Sequence, residues 1–164
     1  MMQKQPDLKV SKLYLGAIIL LMLILPLVSA AIDSGFFKTG PGLLLLTGKW
    51  FVFWGIGVRL FTAGLRQVLK PGFTAQEIFH IKDIESQLIV RELGFANICF
   101  GLTGIIALFI PAWLTAAAFT GGLYMGIAGF YHIIKKQASP NEVAAMVSDL
   151  FIFAVMAVYV WLSF

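Results

Sequence analysis

The chain is poor in cysteine and in charged residues. Cys99 is the single cysteine, so a disulfide within the chain and a cysteine-based metal site are both excluded. Only 12% of the residues are charged, about half the share of a soluble globular domain, while 60% are hydrophobic. Because a chain of 164 residues cannot hide so large an apolar surplus in one core, the surplus must face lipid. The composition therefore predicts one integral membrane domain.

Motifs of the common soluble activities are also missing. The sequence has no glycine-rich phosphate loop, no Ser-His-Asp set and no metal or nucleotide motif. Its net charge of +4 lies mainly in predicted loops, so nucleic acid is not expected as a partner. To ligate a haem, His80 and His132 would have to face each other at matched depth, yet His80 falls in a polar connection. A non-enzymatic role is therefore preferred over an enzymatic one, and no cofactor is assigned.

Residues 1–32 form a basic arm followed by the first apolar run. No charged residue occurs between Lys12 and Asp33, which leaves about twenty residues, enough to cross one bilayer. The same segment has the makeup of a secretory signal peptide, with a small-residue cleavage site before Ala31. Because the apolar run is long for a signal, retention as a transmembrane helix is preferred, and cleavage stays open as the alternative.

Residues 43–164 are predicted to form a four-helix transmembrane bundle. Proline and glycine end its first helix at Pro71 and Gly72. Residues 93–134 include no Asp, Glu, Lys or Arg, and at 1.5 Å per residue they would make roughly 60 Å of helix, twice one hydrocarbon thickness. Pro111 must therefore divide them into a helical hairpin. The four helices are expected at residues 43–69, 88–110, 113–134 and 140–164.

Two helix starts carry a capping-box pattern. Thr74 with Glu77, and Ser139 with Glu142, place a hydroxyl residue three positions ahead of a glutamate. The first pattern predicts a short amphipathic helix in the cytoplasmic connection 73–88, lying on the membrane surface. The alternative is a solvated loop with one helical turn. The second pattern begins the last transmembrane helix.

The distribution of Lys and Arg predicts the orientation. With a cytoplasmic N-terminus, nine of the 12 Lys and Arg residues fall on the cytoplasmic side and two outside, while Arg59 lies within the membrane. This bias follows the positive-inside rule, and after five spans the C-terminus lies outside. The bacterial inner (cytoplasmic) membrane is the expected location. The nine are Lys4, Lys9, Lys12, Arg66, Lys70, Lys82, Arg91, Lys135 and Lys136, and the two are Lys38 and Lys49.

Polar residues of four predicted helices fall in the cytoplasmic half of the bundle. Counted from the helix ends, Arg59 lies about 15 Å deep and the others about 4–13 Å deep. Their charges are complementary, so Arg59 is predicted to pair with Glu92 or Asp149, and Glu92 is the preferred partner. Such residues are functional candidates by default, although a buried ion-pair network that fixes helix register is the structural alternative. The candidates are Arg59, Arg66, Glu92, Asn97, His132 and Asp149.

Small residues recur at helical spacing on three predicted helices, which is typical of close helix packing in membranes. Asn97 belongs to one of these stripes and lies about 140° around the helix from Glu92. We therefore expect Asn97 in a glycine-lined helix contact and Glu92 against a different neighbour. The stripes are Gly48 and Gly55 with Arg59, Thr62 and Arg66; Gly94, Asn97, Gly101 and Gly104; and Gly122, Gly126 and Gly129.

Three segments carry a resemblance to known proteins: Gly55-Ile56-Gly57-Val58-Arg59, Gly64-Leu65-Arg66 and Arg91-Glu92-Leu93-Gly94-Phe95-Ala96-Asn97. With them, residues 50–109 resemble a bacterial family of uncharacterised small membrane proteins. More distantly, the four C-terminal spans resemble the DoxX-like group. That resemblance implies a four-helix bundle, to which this sequence adds an N-terminal span or signal anchor, and in some relatives service as a small subunit beside quinone-linked or redox partners. Sterol-binding relatives of similar architecture carry intramembrane acidic residues, to which Glu92 and Asp149 are equivalent by type.

Three functions are compatible with the sequence. In the first, the polar layer binds a lipid-like or quinone-like amphiphile, so membrane lipid and a hydrophobic ligand are the partners. In the second, the chain is an accessory or scaffolding subunit of a larger, redox-linked membrane complex, which small-residue stripes facing outward would favour. In the third, it is a membrane enzyme or proton-coupled carrier that uses Glu92 or Asp149, although the inverted repeats of carriers are missing.

Overall fold

The computed structural model describes residues 12–36, 42–78, 83–135 and 140–164. Within these ranges there is no strand, and five helices are long and apolar enough to cross a membrane. The predicted all-α membrane bundle is thereby confirmed. The helices are α1 (Lys12–Gly35), α2 (Leu43–Leu69), α3 (Ser86–Ile106), α4 (Pro111–Lys135) and α5 (Pro140–Leu162).

Proline lies at several of the helix ends. α2 covers the expected residues 43–69, and Pro71 follows it after one residue, Lys70. α3 ends at Ile106, earlier than expected, and Pro111 begins α4 with a single 3₁₀ turn. The capping residue predicted for α5, Ser139, lies outside the described residues.

Successive helices run in opposite directions. α1 and α2 meet near the end of α1, where the Trp50 indole nitrogen donates to an Asp33 carboxylate oxygen at 3.0 Å and Lys49 forms an ion pair with the same carboxylate. Further along, the Trp54 indole nitrogen donates to the Ser29 hydroxyl at 3.0 Å. These contacts anchor α1 to α2. We call the opposite end of the bundle, where α1, α3 and α5 begin, the basic end, because its described cations are Lys12, Arg66, Lys70, Arg91 and Lys135.

α2 and α3 touch through their backbones, as the glycine stripe of α3 predicted. A Cβ placed on Gly104 would lie 2.8 Å from Gly57 Cα, and one placed on Gly64 would lie 2.6 Å from the carbonyl oxygen of Gly94. At Gly101 the backbone of α2 is closer still. Since backbone meets backbone at these glycines, a larger residue at any of them would push the two helices apart.

α4 and α5 pack through side chains that sit over glycines. Three glycines of α4 leave room for three side chains of α5, and a Cβ on any of the three would lie 2.6–2.8 Å from its neighbour. On the side of α5 that faces α2, Tyr159 and Ile152 occupy the space over Gly48 and Gly55. α5 is therefore wedged between α2 and α4. The α4–α5 pairs are Gly122 with Met156, Gly126 with Phe153 and Gly129 with Leu150.

Two helices contain π-helical stretches that the sequence did not predict. In α1 the stretch Leu20–Ile24 precedes Pro26, whose ring nitrogen cannot donate the regular backbone hydrogen bond. In α2 the stretch Val52–Val58 ends immediately before Arg59. Such stretches occur frequently at functional sites, and this one places a wide helical turn directly before Arg59.

The connection after α2 differs from its predicted form. Its helix begins at Pro71 and continues as a π-helical turn, Thr74–Ile78, so Thr74 is not the capping residue. Proline fits the first helical position because its φ angle is already helical and its missing N–H is not needed there. Thr74 and Ala75 are buried against the bundle, and the location of the connection at the membrane surface stays a prediction. Residues 79–82 of the predicted amphipathic segment lie outside the described residues.

Candidate functional site: a cavity at the basic end of the bundle

A cavity of about 640 Å³ opens between the helices. All five transmembrane helices and the connection after α2 contribute to its wall. The volume falls within the range of about 300–1,000 Å³ that is typical of small-molecule sites. Five of the six candidate residues named from the sequence line it: Arg59, Arg66, Asn97, His132 and Asp149.

Arg59 of α2 pairs with Asp149 of α5. Its Nη2 donates to Asp149 Oδ1 at 2.6 Å and to the Ser148 hydroxyl at 2.9 Å, while Nη1 lies 3.4 Å from the Met125 sulfur. The two charged side chains are only 14% and 13% exposed. The guanidinium is thus held on both of its terminal nitrogens by protein groups, and its charge is matched by a carboxylate.

The expected pairing of Arg59 with Glu92 is wrong. Glu92 is exposed, does not line the cavity, and takes part in no ion pair among residues 12–36, 42–78, 83–135 and 140–164. The reason is rotational: Asn97 faces α2, and Glu92 lies about 140° around α3 from Asn97. Of the two carboxylates considered for Arg59, only Asp149 lies on a helix face that meets it.

Asn97 lies in the glycine-lined contact between α3 and α2, as predicted. It is 4% exposed, and its Nδ2 donates to Gln67 Oε1 at 2.7 Å. Its own oxygen, Oδ1, is buried and has no hydrogen-bond partner in the described part of the chain. Leaving a buried acceptor unsatisfied costs about 1–3 kcal/mol.

His132 lines the cavity and is held from behind by Glu142. Its Nδ1 lies 2.8 Å from Glu142 Oε1, which Lys135 Nζ also approaches at 3.4 Å. Glu142 is fully buried, and the sequence had assigned it a capping role only. The available signal was its opposite charge, a short distance along the chain from His132 and Lys135.

In the described part of the chain, no group of His, Cys, Asp and Glu could hold a metal ion.

Arg66 stacks on an aromatic ring at the mouth of the cavity. Its guanidinium carbon lies 3.4 Å from the centroid of the Phe73 ring, which belongs to the connection after α2. Arg66 is exposed and forms no ion pair with any described residue. Sequence reasoning missed Phe73 and also the tyrosines that line the cavity. The signal was a phenol within an otherwise apolar helix, at Tyr14, Tyr124 and Tyr131.

The cavity carries an excess of positive charge. In the described part of the chain, Arg59 and Arg66 line it together with a single carboxylate, Asp149, and Glu142 does not reach its wall. The remaining wall is largely apolar, formed by aliphatic side chains such as Ile18, Leu60 and Leu93. Chemically, the arrangement is suited to holding a molecule that has both a polar end and an apolar body.

Comparison with known proteins identifies a family and no individual relative. No curated protein and no solved structure matches the chain. One family model matches residues 16–164, which include every cavity residue except Tyr14. This agrees with the expectation of an uncharacterised family. The chain belongs to DUF6790, a family of unknown function.

Proposed function

We propose that this chain is a non-enzymatic integral membrane protein whose cavity binds a lipid-like or quinone-like amphiphile. The observation that carries the proposal is the cavity of about 640 Å³ lined by five of the six polar candidates. A layer that only held the helices together would be expected to close around its ion pair, because protein interiors pack with few voids. Here the ion pair and Asn97 form part of the wall of an open space.

The arrangement of glycines gives less support to an accessory subunit. Every described glycine of α2, α3 and α4 lies against an atom of a neighbouring helix within the same bundle. The small-residue stripes are therefore occupied internally, whereas the subunit hypothesis would be favoured by a stripe facing outward. An enzyme or proton-coupled carrier is also less supported, because Asp149 is held by Arg59 and Glu92 lies away from the cavity.

The proposal includes a retained first helix and an orientation. Tyr14, Ala17, Ile18 and Leu21 of α1 form part of the cavity wall, so a chain cleaved before Ala31 would lose that wall. The concentration of Lys and Arg supports a cytoplasmic basic end, in the bacterial inner membrane suggested by the family resemblance. The DoxX-like resemblance of the four C-terminal spans stays a prediction and carries no part of the binding proposal.

Native mass spectrometry of the full chain released from a mild detergent tests the proposal. We expect an adduct with the mass of a membrane amphiphile. The variant Ala128→Phe, which places a ring in the cavity wall, should lose that adduct. The matched control, Ala157→Phe, adds the same ring on the exposed face of α5 and should keep it.

Two outcomes would contradict the proposal. One is a stoichiometric protein partner in place of the small adduct, which would favour the accessory subunit. The other is an adduct that survives equally in both alanine variants, because it would then bind outside the cavity.

A further inference from the structure

Building on the proposed binding role of the cavity, we propose that the amphiphile is an acid whose carboxylate or phosphate head binds Arg66. Its apolar chain then extends along the cavity past residues such as Ile18 and Leu60. This inference chooses between the lipid-like and quinone-like alternatives, and it depends on how the two cavity arginines differ.

Arg59 is already committed to protein partners. Its Nη2 donates to Asp149 at 2.6 Å and to Ser148 at 2.9 Å, and its Nη1 faces the Met125 sulfur at 3.4 Å. A ligand anion that bound there would have to compete with a carboxylate already in place. Arg59 therefore shapes the inner part of the cavity without offering a free charge.

Arg66 is held in a different way. Phe73 contacts the flat face of its guanidinium, with the carbon 3.4 Å from the ring centroid. Stacking on an aromatic ring occupies the face of the group and leaves the N–H donors at its edge available. Those donors form a fork that matches two oxygens of a carboxylate or phosphate. The stack thus orients a guanidinium that has no carboxylate partner among the described residues.

The position of Arg66 suits the head group of an amphiphile. It lies in the last turn of α2, close to the polar boundary of a membrane, and it is exposed while it still lines the cavity. Arg59 lies seven residues earlier, about 10 Å further along the helix. An acid bound at Arg66 would place its head near the interface and its chain deeper in the bundle.

The charge balance favours an acid over a neutral quinone. Among the described residues, two arginines and one aspartate line the cavity, so one positive charge is unmatched within that set. A positive charge at the edge of lipid is stabilised by an anion that also forms hydrogen bonds with it. A quinone ring supplies carbonyl acceptors but no charge, and it would leave the imbalance unchanged.

The test measures equilibrium binding to the full chain in nanodiscs of phosphatidylcholine, with empty nanodiscs as background. The probes are hexadecanoate, hexadecyl phosphate, hexadecanol, a quinone with a decyl tail, and acetate. We expect the better of the two long-chain acids to bind at least about tenfold more tightly than hexadecanol, a difference of about 1.4 kcal/mol. The preferred acid then identifies the head group as carboxylate or phosphate.

The variant Arg66→Gln should remove this preference, so that the long-chain acids bind no more tightly than hexadecanol. Lys70→Gln is the matched control, because it removes one cation from the same end of α2 at a residue that does not line the cavity. Arg66→Lys keeps the charge but loses the fork, and should retain part of the preference. If Arg66→Gln does not fold, comparing the binding of the acids with that of hexadecanol, in the parent chain and in Arg66→Lys, still tests whether the ligand is an acid.

The outcomes separate this inference from the function on which it rests. If hexadecanol or the quinone binds as tightly as the acids, and Arg66→Gln changes nothing, the acid assignment is wrong and the binding function stands. If none of the long-chain probes binds, the proposed function itself fails. If acetate binds as tightly as hexadecanoate, the site binds a small anion and the apolar chain contributes nothing. The proposal that the ligand is an amphiphile is then wrong.

Discussion

Arg59 of α2 and Asp149 of α5 form an ion pair with 2.6 Å between Nη2 and Oδ1 in the wall of the cavity. The pair joins two helices that lie far apart in sequence, and both side chains are almost buried. It therefore contributes to the stability of the bundle and to the shape of the cavity at the same time.

Separating this pair should destabilise the protein. Arg59→Gln or Asp149→Asn alone leaves an uncompensated charge in a nearly buried site and should lower the free energy of unfolding by about 3 kcal/mol or more. The double variant removes both charges, so its loss in the free energy of unfolding should be clearly smaller than the sum of the losses in the two single variants. Chemical denaturation in mixed micelles would measure all three. Glu92→Gln is the control and should stay within about 0.5 kcal/mol of the parent chain. An equal loss in Glu92→Gln would contradict the observed pairing.

The backbone contact between α2 and α3 predicts that a larger side chain at Gly104 would destabilise the protein. In Gly104→Leu the new side chain meets Gly57 of α2, and overpacking should cost about 1–3 kcal/mol or more. Gly16→Leu is the control, because a Cβ on Gly16 has nothing within 4 Å. Thermal unfolding, monitored through the loss of monodisperse protein, would give the unfolding midpoints of the two variants. Similar midpoints for the two variants would argue against the close crossing.

The cluster behind His132 predicts non-additive effects. Glu142→Gln removes a fully buried carboxylate that contacts both His132 and Lys135, and should lower stability by about 2 kcal/mol. Combining it with His132→Ala should cost less than the two single changes together, because both remove the same interaction. Glu85→Gln, at an exposed position, serves as the control and should be close to neutral. Strict additivity would show that the His132–Glu142 contact contributes nothing.

The contacts of α1 predict that it stays attached to the chain. Ser29 and Asp33 bind Trp54 and Trp50 of α2, and Tyr14 lines the cavity. Intact mass measurement of protein purified from membranes should therefore give about 18.0 kDa. A shorter product that begins at Ala31 would instead identify residues 1–30 as a signal peptide, and the cavity would then lack one wall.

Much of the fold follows from the sequence alone. Long, largely apolar runs separated by polar loops and prolines determine five helices, because a backbone in lipid must satisfy its own hydrogen bonds and needs about twenty apolar residues to cross. The spacing of Gly94, Asn97 and Gly101 determines which face of α3 meets another helix, because residues three or four apart share one face. Both predictions depend on local periodicity, which the sequence states directly.

The partner of each polar residue depended on the tertiary structure. Glu92 and Asp149 are alike in charge and similar in estimated depth, so the sequence offered no sound basis for choosing between them, and the preference for Glu92 as the partner of Arg59 was wrong. The choice came from packing: α3 turns its glycines and Asn97 toward α2 and thereby turns Glu92 away, while α5 brings Asp149 to Arg59.

The cavity is likewise a property of the assembled helices. Phe73 reaches Arg66 only because the connection after α2 folds back against the bundle, and His132 meets Glu142 only because α4 and α5 form an antiparallel pair. The sequence by itself determined that five helices cross a membrane with polar residues near one end. Only the tertiary structure decided which of those residues neutralise each other and which face an open cavity, because those contacts join residues from different helices.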